Sequence, residues 1–167
     1  MASVRDGRVD PEPGLDEFSA VYAAQRVSLL RLAMVTTGSL PAAEDIVQDA
    51  FVDLYRNWSR VTDPPAWLRR AVANRSVSWL RRRLVARRYA QRAGAVETGP
   101  PPSAVDSAVR AALARLGPRQ RAAVFLRYYL DLSESAIAET LGCRAGTVKS
   151  LLHRALAVLR GYLDDDV

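Results

Sequence analysis

Three consecutive prolines, Pro100–Pro102, close the stretch AGAVETGPPP over 93–102, and this stretch decides how the chain can be built. Proline lacks a backbone donor and fixes φ, so a helix cannot run through it, and a proline run favours an extended, semi-rigid segment. The 167 residues are thereby divided into two parts, each with room for a modest core. Helical periodicity occurs on both sides of the break, strand alternation is convincing nowhere, and no internal repeat is visible. The expected class is all-α: two small helical domains joined by a flexible Pro/Gly linker.

In the first part, residues 1–14 are polar with Pro and Gly, are expected to be disordered, and do not form a signal peptide. Leu15–Gly38 reads as a long helix with Phe18, Tyr22, Leu29 and Leu32 at core spacing and Gly38 as its stop. Ser39 can cap the next helix, with Pro41 in its first turn. That helix runs to about Trp58 and buries Ile46 or Val47, Ala50, Phe51, Leu54 and Trp58. After the loop Ser59–Asp63, a third helix capped by Asp63 and opened by Pro64 runs to about Arg88, with Trp67, Leu68, Ala71, Val72 and Leu80 as its apolar positions.

In the second part, Ser103 or Asp106 caps a helix through Leu116, Gly117-Pro118 breaks it, and Arg119–Leu130 forms another. Leu132–Leu163 then reads as two helices around a tight turn at Gly142, where glycine reaches positive φ without penalty. Ala136, Ile137 and Leu141 form the apolar face of the first, and small Ala138 permits close approach of the second. Val148, Leu151, Leu152, Ala155, Val158, Leu159 and Tyr162 make a 3.6-residue stripe on the second. Arg144, Thr147, Lys149, Ser150, His153 and Arg154 are left on its exposed face near the N-terminal half, the half with which a recognition helix reads base edges. This helix-turn-helix points to DNA.

Charge sharpens that reading. The net charge is +6, and arginine supplies all but one of the 24 basic residues. Arg69 to Arg92 holds nine arginines and no acid, whereas Glu44, Asp45, Asp49 and Asp53 cluster on the preceding helix. A basic stripe beside an acidic helix implies two different partners, one of them polyanionic. Other chemistries are short of residues. One His and one Cys, His153 and Cys143, exclude a disulfide, a cysteine-based zinc site and a Cys/His catalytic pair, so no metal and no cofactor is expected. Glycine-rich phosphate loops and zinc-protease motifs are missing. Asp45 and Asp49 could serve as an acid/base couple, but an acidic face for a partner or solvent is the better reading, and an enzyme is not expected. No apolar run is long enough to span a bilayer, and a cytoplasmic location is the default.

Four segments taken together resemble the sigma-70 family of bacterial RNA polymerase sigma factors, specifically its extracytoplasmic-function group (group 4). They are AEDIVQDAF over 43–51, PAWLRRAVANR over 65–75 with WLRRR over 79–83, LGPRQR over 116–121, and GTVKS over 146–150. The resemblance covers 15–163. It implies region 2 over 15–90, a linker over 91–105 and region 4 over 106–163. It also implies a protein that binds core RNA polymerase, through the β′ clamp helices and the β flap, and directs it to promoter DNA through −10 and −35 elements. Asp45, Gln48, Asp49, Leu54 and Tyr55 are then expected to contact polymerase. Trp67, Arg70, Asn74, Arg75, Arg81 and Arg82 are expected to hold the −10 strand, although the spacing of Trp67 from Ala71 suits core packing better than stacking on a base. The 59–63 loop would receive an unstacked base, and Arg144, Thr147, Lys149, Ser150, His153 and Arg154 would meet the −35 element. An anti-sigma factor is a further partner the family admits, and the free chain is expected to be a monomer. Many relatives carry Asp and Arg where this chain has Ser78 and Trp79, and Arg where it has Leu151. The alternative from another class is a stand-alone helix-turn-helix regulator with an N-terminal ligand or dimerisation domain.

Overall fold

The computed structural model describes residues 14–92 and 107–164. Seven α-helices occupy them, in the order α1 Leu15–Thr37, α2 Leu40–Arg56, α3 Pro64–Arg92, α4 Ser107–Ala114, α5 Pro118–Tyr128, α6 Glu134–Leu141 and α7 Ala145–Asp164, and no strand occurs among these residues. The expected disordered start, most of the linker, and the caps proposed at Ser103 and Asp106 lie outside the described residues. The helix boundaries otherwise follow local chemistry. Gly38 stops α1 in the left-handed region at φ 69°, its N–H donating to Met34 O. Ser39 caps α2 by accepting from Ala42 N–H, and Asp63 Oδ1 accepts from Ala66 N–H at 3.0 Å to start α3.

Several expectations need correction. The second helix ends at Arg56, because Trp58–Arg60 tightens into a 3-10 turn. The third runs on through Arg92, so positions 91 and 92 belong to a helix and not to the linker. The fourth stops at Ala114, short of Leu116. Tyr22 is 42 % exposed and Val158 37 % exposed, so neither is a core residue.

In the first unit, α1, α2 and α3 enclose Leu29, Leu32, Ala43, Ala50, Phe51, Leu54, Leu68 and Val72, all buried. In the second, α5, α6 and α7 enclose Leu126, Ile137, Leu141, Val148 and Ala155. The two sets are not separate. One buried apolar cluster runs through both, because α5 packs on α1 and α3, and α6 packs on α3. The expected picture of two beads on a linker is therefore replaced by two units joined face to face.

Candidate nucleic-acid interface

The helix-turn-helix is built by backbone chemistry at its turn. Ser133 caps α6 through its side chain, which accepts from Ala136 N–H. Gly142 ends the helix at φ 61°, and Cys143 N–H turns back to Ala138 O at 2.9 Å. This fold-back explains the half-buried position of Cys143 and gives it a structural role. Val148, Leu151, Leu152 and Ala155 then seat α7 on the core. Arg144, Thr147, Lys149, Ser150, His153 and Arg154 are all exposed, on the face left over. Two of them are engaged locally. Ser150 Oγ donates to Gly146 O at 3.0 Å, and Arg154 Nε donates to Ser150 O at 3.2 Å. Each keeps capacity for DNA beside that bond, Ser150 as an acceptor and Arg154 through its remaining guanidinium N–H groups.

On α3 the expected residues divide. Arg70, Arg81 and Arg82 are exposed and available to an anionic strand. Trp67 is half-buried and packs against the core, in line with its helical spacing. Arg75 is committed elsewhere: it donates to the Asp53 carboxylate, with both side chains about one-third exposed. This pair stitches the acidic helix to the arginine helix, and it gives Asp53, which the sequence places in the acidic cluster, a partner within the chain. Asn74 is exposed but its Nδ2 donates to Thr140 O of α6 at 3.4 Å. Trp79, one of the departures from the family pattern, is half-buried with the Arg83 guanidinium 5.3 Å from its ring centroid, a cation–π arrangement.

The acidic helix borders a groove of about 600 Å³ between α1 and α2. Asp45, Gln48 and Tyr55 line it, together with Tyr22, Arg26 and Val52 from outside the expected set. Phe18 supports its floor, meeting Phe51, Tyr55 and Trp58 edge-on with ring centroids 6.2, 5.4 and 5.8 Å away. Asp49 is exposed on the same helix but does not line the groove. Leu54 is a correction: it has no exposed surface, so it supports the helix from beneath and offers no contact to a partner. Val52, 42 % exposed, could have been found from the sequence as an apolar residue beside Asp49 and Asp53, whereas Tyr22, equally exposed, lies on α1 and had no such signal.

Arg121 holds the two units together from the inside. Its side chain is 8 % exposed, and its nitrogens donate to Leu116 O, Ala114 O and Thr36 O at 3.1, 3.0 and 3.3 Å. Ala114 and Thr36 lie at the C-terminal ends of α4 and α1, where helices leave acceptors without intrahelical partners, and Leu116 lies in the turn that follows α4. Desolvation by burial pushes its guanidinium below the usual arginine value. Among the described residues there is no group of three or more His, Cys, Asp or Glu that could hold a metal ion.

Known proteins carry the same plan. The chain matches the family models "Sigma-70 region 2" over residues 21–84 and "Sigma-70, region 4" over 95–159. It is 33 % identical over 153 residues to an RNA polymerase sigma-E factor of Streptomyces avermitilis, covering 89 % of this chain and 86 % of that protein. It is 33 % identical to the ECF RNA polymerase sigma factor SigE of Mycolicibacterium smegmatis, over 90 % of this chain and 62 % of that protein. Among solved structures it is similar to the sigma factor RpoE of Bartonella quintana, crystallised with the anti-sigma factor NepR, at 25 % identity and a TM-score of 0.72 over 92 % of this chain and 100 % of that one. The region 2 match places a sigma module where the alternative reading needed a ligand or dimerisation domain. With both modules in order and a relative this similar along most of its length, the chain belongs to the sigma-70 family of RNA polymerase sigma factors.

Proposed function

We propose that this chain is an extracytoplasmic-function sigma factor in which 15–90 serves as region 2 and 106–163 as region 4. As a sigma factor it binds core RNA polymerase and directs promoter-specific initiation through −10 and −35 elements. The observation that carries the finer reading is the presence on one short chain of two separate basic surfaces and one acidic, aromatic groove. Asp45, Gln48 and Tyr55, with Asp49 nearby, present charge, an amide and a ring to the polymerase clamp; Arg70, Arg81 and Arg82 follow the −10 strand. Arginine suits this work because its planar fork pairs bidentately with phosphate and guanine and also stacks on unpaired bases. Lys149 and Arg144 take backbone or guanine contacts in the −35 duplex, while Thr147, Ser150, His153 and Arg154 lie nearer the base edges. Two relatives titled as ECF or sigma-E factors and the Bartonella quintana complex support both the group and an anti-sigma factor as regulator. No helix among the described residues is long and apolar enough to cross a membrane, and the work is proposed to take place in the cytoplasm, by binding and not by catalysis.

Run-off transcription with purified core polymerase and a genomic promoter pool tests this. The expected outcome is stable association with core and a discrete set of transcripts. A chain that ignores core polymerase and instead binds a palindromic operator by itself would overturn the reading.

A further inference from the structure

Between α3 and the second unit lies a cavity of about 840 Å³, inside the ~300–1,000 Å³ range of small-molecule sites. Four arginines line it, Arg81 and Arg88 from α3, Arg119 from α5 and Arg154 from α7, and no carboxylate is among its lining residues. Like charges gathered around one gap repel one another until an anion enters. Arg88 and Arg119 are in neither set of residues expected to contact DNA, so promoter recognition accounts for only half of the cluster. Two of the guanidiniums are held in place. Arg119 Nη2 donates to Leu141 O at 2.9 Å and Arg154 Nε to Ser150 O at 3.2 Å, and each keeps further N–H groups for a ligand. Arg81 and Arg88 lie two turns apart on α3, roughly 10 Å of helix rise, so a ligand that meets both carries negative charge at more than one point. The first turn of α5, Gly117 to Gln120, lines the same gap, and its cap residue Gly117 has no side chain to accept from it, which leaves backbone donors for an anion beside the guanidiniums. Val77, Leu84, Val85 and Leu151 add an apolar wall.

We propose that this gap is a binding site for a small molecule with several linked phosphates, in which guanidiniums from both units pair with phosphate oxygens and the apolar wall takes the base where one is attached. Arginine suits the task because its planar fork meets two phosphate oxygens at once. Two sources supply this chemistry, a nucleoside polyphosphate and inorganic polyphosphate. The site itself does not depend on the promoter assignments, but its consequence does. A bound polyphosphate occupies Arg81 and Arg154, one residue from each surface assigned to promoter DNA, and so acts against promoter binding.

Calorimetric titration of the full-length chain with ATP and, separately, with inorganic tripolyphosphate, at ~0.15 M salt and without divalent metal, tests the site. Both should bind one to one. Arg88→Gln should weaken both by at least about ten-fold. Arg82→Gln makes the same change in charge on an exposed residue of the same helix outside the gap, and should stay within about two-fold of the unaltered chain. Tighter binding of ATP than of tripolyphosphate would support the site and name the nucleotide as its ligand; equal or weaker binding would support it and name inorganic polyphosphate. No binding of either compound up to about 1 mM would overturn the site. An equal loss in the two variants would overturn it as well, since it would mark the attraction of a basic chain for any anion. So would an Arg88→Gln chain weakened toward a single-stranded oligonucleotide but toward neither phosphate compound, which would give the gap to the DNA strand. None of these outcomes touches the sigma-factor reading, which stands or falls by run-off transcription.

Discussion

Replacing Arg121 by methionine separates what one buried guanidinium does within region 4 from what it does between the units. Methionine keeps the apolar stem and removes three charge-assisted bonds, to Leu116 O, Ala114 O and Thr36 O. At about 1.5–3 kcal/mol for each bond to a charged group, the gross loss is about 4.5–9 kcal/mol. Removing the guanidinium also removes its desolvation penalty, which is about several kcal/mol for a buried ion. The net cost is then about 3 kcal/mol, a large part of the ~5–15 kcal/mol that holds a domain folded. Two of the three bonds tie the α4–α5 turn and one reaches α1, so about 1 kcal/mol of the loss falls on the coupling between units.

Two probes see these shares separately. All three tryptophans, Trp58, Trp67 and Trp79, lie in the first unit, whereas far-ultraviolet ellipticity reports both. In urea the two transitions of the unaltered chain should coincide, because one apolar cluster spans both units. In Arg121→Met the ellipticity midpoint should fall by about 1 M, and the tryptophan midpoint by clearly less, so that the curves part. If both midpoints fall equally and the curves stay superimposed, the division between region 4 and the interface is wrong. If neither moves, the three bonds contribute nothing to stability, and Arg121 does not hold the units together.

Leu54→Ala should cost about 2–5 kcal/mol in urea unfolding, as expected for a fully buried leucine, while affinity for core polymerase measured well below the midpoint stays unchanged. A double-mutant cycle on Asp53→Asn and Arg75→Gln should give a coupling of about 0.2–1 kcal/mol that shrinks in high salt, because both side chains keep about a third of their surface in water; a larger, salt-insensitive value would mean a far stronger pair. Lys149→Ala should lower −35 affinity evenly across sequences and reduce the slope of log affinity against log salt by about one, whereas an effect confined to one base position would move Lys149 to base readout.

Most of the local architecture was legible because the signals that encode it are local. Gly38 and Gly142 end helices at positive φ, and Ser39 and Asp63 begin them with side-chain caps, each where the sequence places it. The exposed face of α7 followed from its buried stripe in the same way. The stripe misled at Val158, because a 3.6-residue pattern gives the direction of a side chain but not where the neighbouring helix stops covering it. Leu54 shows a different failure. Its spacing from Ala50 puts it in the core, which the structure bears out, while family resemblance placed it among polymerase contacts; position along a motif does not distinguish the outward face of a helix from the inward one.

The packing of one unit on the other was not legible, and its chemistry explains why. Two of the polar contacts across that interface end on backbone carbonyls, those of Thr36 and Thr140, and every residue type has a carbonyl; another joins Arg31 to Tyr129 Oη, both of them residues with no distinctive spacing. Arg121 is one arginine among many in a chain whose basic residues had been read as DNA contacts, and nothing in its spacing marks it as buried. Asn74 and Arg75 carry side chains suited equally to a phosphate and to a protein acceptor. In this structure they have taken the protein acceptors, Thr140 O and Asp53. Arg70 and Arg82, exposed on the same helix, have no such exchange to make, so replacing either by alanine should weaken single-strand binding by more than Arg75→Ala does, as read by affinity at low salt.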